Sequence, residues 1–131
     1  MTAPVRVNRR LIRLSIALVW LYQGLWCKVL GGSPHHRAVV AAVPFIGSAW
    51  SQAVLLVLGL MECALAAWVL SGWQLRKAAL VQTALLAAMN AGGVIWSRRL
   101  LPDPVGMLLE NFAFVLLIWI AAEARPDVAI A

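Results

Sequence analysis

The chain has 131 residues, 63% hydrophobic and 12% charged, with a net charge of +6. That charged fraction is about half the ~25% of soluble domains, which excludes a water-soluble domain: too few polar side chains exist to cover the apolar ones. The positive charge collects at the ends of hydrophobic runs, where it sets orientation and attracts anionic headgroups, so nucleic acid is not an expected partner and the lipid bilayer is.

The first hydrophobic run covers residues 11–30, beside Arg6, Arg9, Arg10 and Arg13. About 20 residues suffice to cross a hydrocarbon core of ~30 Å. The run is too long for a signal-peptide core and lacks an A-x-A cleavage site, so it is expected to remain as an anchor. Gly31-Gly32 ends it. Ser33 then stands as an N-cap, with Pro34 at the first helical position. The spacing of His36, Val39, Val40 and Val43 predicts a short interfacial helix that Pro44 and Gly47 close.

A second span is predicted over 49–70, closed by Ser71-Gly72-Trp73. The third, over 77–96, repeats small residues every four positions: Ala79, Thr83, Ala87 and Ala91, with Ala84, Ala88 and Gly92 beside them. Such a stripe lets membrane helices approach closely. Pro102-Asp103-Pro104 breaks the chain before a fourth span over 105–122. Most of the seven tryptophans fall near helix ends, as in interfacial aromatic belts. The expectation is one transmembrane domain over 1–131, an all-α integral membrane four-helix up-down bundle with a short interfacial helix between helices one and two.

Arg6, Arg9, Arg10, Arg13, Arg76, Lys77 and Arg125 share one side of that topology, against Lys28, Arg37, Arg98 and Arg99 on the other. The positive-inside rule then puts both termini in the cytoplasm.

Polar residues inside such spans are costly and usually paired or functional. Counting a rise of about 1.5 Å per residue from the outer ends puts Lys28 about 3 Å deep, Glu110 and Asn111 about 7 to 9 Å, and Asn90 and Gln23 about 9 to 11 Å. These five share one band, with His35, His36 and Asp103 above them. They are expected to line a polar, outward-opening pocket, with Lys28 and Glu110 as its ion pair. The alternative is that Lys28 snorkels to the headgroups while the amides bond between helices. Glu62 stands apart, about 18 Å down helix two, where a carboxyl must be protonated or partnered. Gln82 is the expected partner at nearby depth. Tyr22 and Trp26 are candidates for holding the ring of a ligand.

Adjacent His35 and His36 point about 100° apart on a helix and do not converge on one ion, so neither haem nor a metal site is expected. Cys27 and Cys63 read as small buried apolar residues. No nucleophile-and-base motif and no phosphate loop occurs, so catalysis by this chain alone is not expected.

The residues Trp20-Leu21-Tyr22-Gln23-Gly24-Leu25 with Lys28, Ser33-Pro34 with His36, Pro44, Gly59-Leu60-Met61-Glu62, Ser71-Gly72-Trp73, and Asp103-Pro104-Val105-Gly106 leading to Asn111 together resemble the DoxX-like family of small four-helix bacterial membrane proteins. The resemblance implies a multi-pass protein of the cytoplasmic membrane. Relatives named DoxX and DoxD are associated with quinone-linked sulfur oxidation and oxidative-stress complexes. By this likeness Lys28, Glu62 and Asn111 fall on recurring polar positions of the family. A thiol relay is not implied, since no cysteine pair is present.

Three readings follow. The first is a subunit beside a membrane or peripheral redox partner, binding a quinone or another small lipophilic ligand. The second is a small oligomeric transporter or channel component with Glu62 as its protonatable group. The third is a ligand-free scaffold whose helix-three stripe forms a seam between copies.

Overall fold

The computed structural model describes residues 8–123, together with residues 5–6 and 129–130. The first helix, α1 (Arg9–Leu21), starts at Asn8, whose side chain accepts the Leu11 N–H at 3.1 Å. Such a cap satisfies one of the free N–H groups of a helix start. From Tyr22 to Val29 the helix continues with π geometry. A regular α-helix to residue 30 was the expectation. The wider winding includes Gly24, whose backbone meets that of Gly59 in a later helix. Gly31 has φ +69, a left-handed conformation that costs glycine little. There the path bends by 78° into α2 (Pro34–Ala41). Pro34 opens α2 as expected, but the Ser33 side chain makes no capping bond.

Three long helices follow: α3 (Gly47–Ser71), α4 (Leu75–Trp96) and α5 (Pro104–Glu123). Gly72, at φ +73, ends α3 in the left-handed cap that glycine favours. Asp103 caps α5, its carboxylate accepting the Gly106 N–H at 3.0 Å. The two-residue segments β1 (Val5–Arg6) and β2 (Ala129–Ile130) pair antiparallel.

By length and composition α3, α4 and α5 can each cross a membrane, and a fourth crossing comes from α1 with its π extension when joined to α2 across the bend. Around the bundle, α1 packs on α3 and α5, and α4 on α5 and α3. Successive helices run antiparallel, so this is an all-α up-down membrane bundle. Its core is a narrow seam of Ile16, Ala17 and Trp20 with Leu65, Ala66, Val69, Ala79, Leu86, Ile118 and Ala121. Large apolar side chains such as Leu18, Leu60, Leu80, Leu109 and Phe112 point outward. In water that would be an aggregation hazard; in a bilayer it is the favourable arrangement, because lipid tails solvate it.

The small stripe of α4 is divided. Ala79 is in the core, whereas Ala84, Ala87, Ala88 and Ala91 are exposed. At the end holding the α3–α4 turn, Arg76 pairs with Glu123 at 2.7 Å. At the other end the Ser97 hydroxyl donates to the Val39 carbonyl at 2.6 Å, tying α2 to the end of α4.

Candidate ligand-binding site

The site begins with two glycines. A Cβ on Gly24 would lie 2.6 Å from the Gly59 carbonyl oxygen and 2.8 Å from the Glu62 Cβ. One on Gly59 would lie 2.8 Å from the Gly24 carbonyl oxygen and 2.9 Å from the Lys28 Cβ. Each glycine thus makes the space that the other helix's ionisable residue fills, and the two backbones touch.

Within that crossing Lys28 Nζ stands 2.9 Å from each carboxylate oxygen of Glu62. It donates a hydrogen bond to Oε2 and another, at 3.3 Å, to the Gln23 carbonyl. Glu62 is fully buried and Lys28 is 6% exposed. The expected pairing of Lys28 with Glu110 is therefore corrected: Lys28 pairs with Glu62, and Glu110 makes no ion pair among the described residues. The reason is directional. A helical Cα–Cβ bond tilts toward the N-terminus, so Lys28 reaches back down its helix into the bundle rather than up to the surface. Water already solvates exposed Glu110, whereas buried Glu62 has no such alternative.

Gln82 is not the partner of Glu62. Its Oε1 accepts the Trp20 indole N–H at 2.8 Å, and its amide donates to the Ala78 carbonyl at 3.0 Å. This bond satisfies both groups in the middle of the bundle. Asn111 donates to Asn90 Oδ1 at 2.7 Å, linking α5 to α4.

Above the pair lies a cavity of about 620 Å³ at the α2 end of the bundle. Lys28, Glu62, Asn111, Gln23, Asn90, Glu110 and His36 all line it, as do His35 and Asp103. Its apolar wall comes from every helix, with Val19 on α1, Val39 on α2, Leu55 and Leu58 on α3, Met89 on α4 and Met107 on α5, and from Val43 just beyond α2. Two aromatic pairs stand in the wall: Trp20 with Phe114 at 5.6 Å between centroids, and Phe45 with Trp96 edge-on at 5.5 Å. Tyr22 and Trp26 are outside the cavity, on the exposed flank of the π segment. Trp26 instead covers Gly32 at the turn into α2.

On α2, His36 is half-buried in the cavity wall. Its Nδ1 is buried without a hydrogen-bond partner. Among the described residues no three His, Cys, Asp or Glu side chains cluster to hold a metal ion.

Several members of the site had no sequence signal of their own. Trp20 and Phe114 read as ordinary apolar residues of their spans, whereas Asp103 is placed above the polar band by its position in the outer loop. Gly24 and Gly59 offered a faint one, since glycine in a spanning helix often marks a close approach.

The model of the DoxX-like family matches residues 17–119, which include α2 and the whole cavity. No curated protein and no solved structure matches the chain.

Proposed function

The chain belongs to the DoxX-like family, and from that premise we propose that it is a ligand-binding membrane subunit whose cavity holds a small lipophilic molecule with one polar end. A quinone is the candidate that the redox association of DoxX and DoxD raises. The supporting observation is the cavity itself, whose volume falls in the ~300–1,000 Å³ range of small-molecule sites and whose wall joins apolar side chains from every helix to a polar set that includes the Lys28–Glu62 pair. The distribution of Lys and Arg favours a cytoplasmic-membrane topology with both termini inside, so the cavity would face outward. The chain would then act beside a membrane or peripheral redox partner.

The experiment is native mass spectrometry of the detergent-purified protein, wild type beside Glu62→Gln, with a thermal-shift screen of quinone analogues. A small molecule retained by the wild type and lost in the variant supports the reading. An empty wild type that no quinone or other lipophile stabilises ends it.

A second reading draws on the exposed face of Ala84, Ala87, Ala88 and Ala91. Small residues on an outer face suit close packing against a second copy in the membrane. In that case Ala87→Leu should dissociate a detergent-stable oligomer, and an unchanged oligomer removes the reading. The ion pair weakens the transporter alternative, since a carboxylate held at 2.9 Å by an ammonium is not free to carry a proton.

A further inference from the structure

The chain is strongly basic, yet its cavity is not. Glu62, Asp103 and Glu110 line it, three of the five Asp and Glu residues in the sequence, while among the described residues Lys28 is the only Lys or Arg to do so. Three carboxylates against one ammonium leave a formal charge of −2. Lys28 is already committed, with Glu62 on one side and the Gln23 carbonyl on the other. Arg37, Arg98 and Arg99 belong to the same end but are exposed outside the wall.

Glu62 Oε1, fully buried in the wall, is 2.9 Å from Lys28 Nζ yet receives no hydrogen bond. Among the described residues no cation pairs with the carboxylate of Glu110. The amides of Gln23, Asn90 and Asn111 add donors and acceptors to the wall but no charge. Much of the remaining wall is apolar, with the rings of Trp20, Phe45, Trp96 and Phe114. Aromatic faces attract cations, and more strongly where water is displaced. An anion entering here would meet carboxylates without a free counter-charge. A neutral carbonyl compound would leave the charge of those carboxylates unmet.

We propose that this cavity selects lipophilic cations, amphiphiles with a protonated nitrogen at one end and an apolar tail. This rests on the ligand-binding reading above and narrows it. The tail would lie among Val39, Val43, Leu55 and Met89. The charged end would meet Glu110, whose carboxylate is exposed at the cavity.

The test uses three photoreactive probes with the same long alkyl tail and an amine, hydroxyl or carboxylate head, plus a short-chain quinone as competitor. The full chain is held in nanodiscs of zwitterionic phosphatidylcholine at pH 7, so that the lipid surface does not itself concentrate the cation. Labelling is mapped by peptide mass, with cavity residues such as Leu58 and Met89 normalised to lipid-facing Leu60 and Leu109. The amine should half-saturate the cavity at a concentration at least tenfold below the carboxylate, and Glu110→Gln should cut that preference severalfold. Equal labelling by amine and carboxylate, or a preference untouched by Glu110→Gln, overturns the charge selection and leaves the ligand-binding reading standing. Displacement of the amine by the quinone at equal concentration does the same. If no probe labels the cavity above the lipid-facing level, the ligand-binding reading fails and this inference with it.

Discussion

Replacing Lys28 with methionine keeps the volume and apolar stem of the side chain and removes its charge. Glu62 would then be a carboxylate with no exposed surface and no counter-ion. Such a group does not stay ionised; it takes up a proton. Protonating a carboxyl of ordinary pKa ~4.3 costs about 3.7 kcal/mol at pH 7, at 1.36 kcal/mol per pH unit. This agrees with the ~3–5 kcal/mol seen when one partner of a buried pair is removed. The sign follows from proton counting. In the variant the folded state holds a proton that the unfolded state, above its own pKa, does not. Stability therefore rises as pH falls, and the penalty should shrink to about 1 kcal/mol at pH 5. Glu62→Gln should cost less, because the long lysine stem lets Lys28 swing its charge toward water. Lys28→Met with Glu62→Leu should recover most of the loss, since replacing both members of a buried pair is often near neutral. Equilibrium unfolding in bicelles at pH 7 and pH 5 measures all of this. A single-variant penalty below ~1 kcal/mol at pH 7, or one unchanged at pH 5, refutes the argument.

Gly24→Ala and Gly59→Ala each drive a methyl into the facing backbone, and each should destabilise the bundle by about 1–3 kcal/mol or more, read by the same unfolding assay. Gly31→Ala meets no neighbour but must adopt φ +69, so its cost should stay near ~1 kcal/mol. Trp20→Phe leaves Gln82 Oε1 without its donor in the core and should cost about 1–3 kcal/mol, whereas Trp20→Phe with Gln82→Leu should cost less than the two single changes added together.

The architecture was readable because hydropathy marks spans directly. In lipid every backbone group must be satisfied within a helix, so a run of apolar residues of the right length leaves few alternatives. The helix ends shifted by only a few residues, with α3 starting at Gly47 and α4 at Leu75. Sorting polar residues by depth gathered those that now line the cavity, because rise per residue is nearly constant. Pairing them failed for a physical reason. Depth counts backbone positions, whereas a lysine side chain spans more than a helical turn and Cβ direction decides which way it goes. Hence Lys28 was set against Glu110 and Glu62 was left with Gln82. The π segment was hidden for another reason. No residue type in Tyr22–Val29 selects π over α winding, and the segment's packing against α3 around Gly24 and Gly59 is long-range information that a local pattern does not carry. Nothing in the residue types of Tyr22 and Trp26 told a ligand-facing ring from a lipid-facing one, because both environments are apolar.

The wider winding of residues 22–29 makes the site depend on chain length as well as residue identity. Each residue of an α-helix advances the angle by about 100°. A π turn holds more residues than an α turn, so each residue of the segment turns through less. Rewinding residues 22–29 as a regular α-helix with none removed would therefore rotate Lys28 away from Glu62, whereas removing one residue between Leu21 and Gly24 would offset the tighter winding and keep Lys28 on its face. The segment works as a spacer, and its count of residues is part of the chemistry it positions.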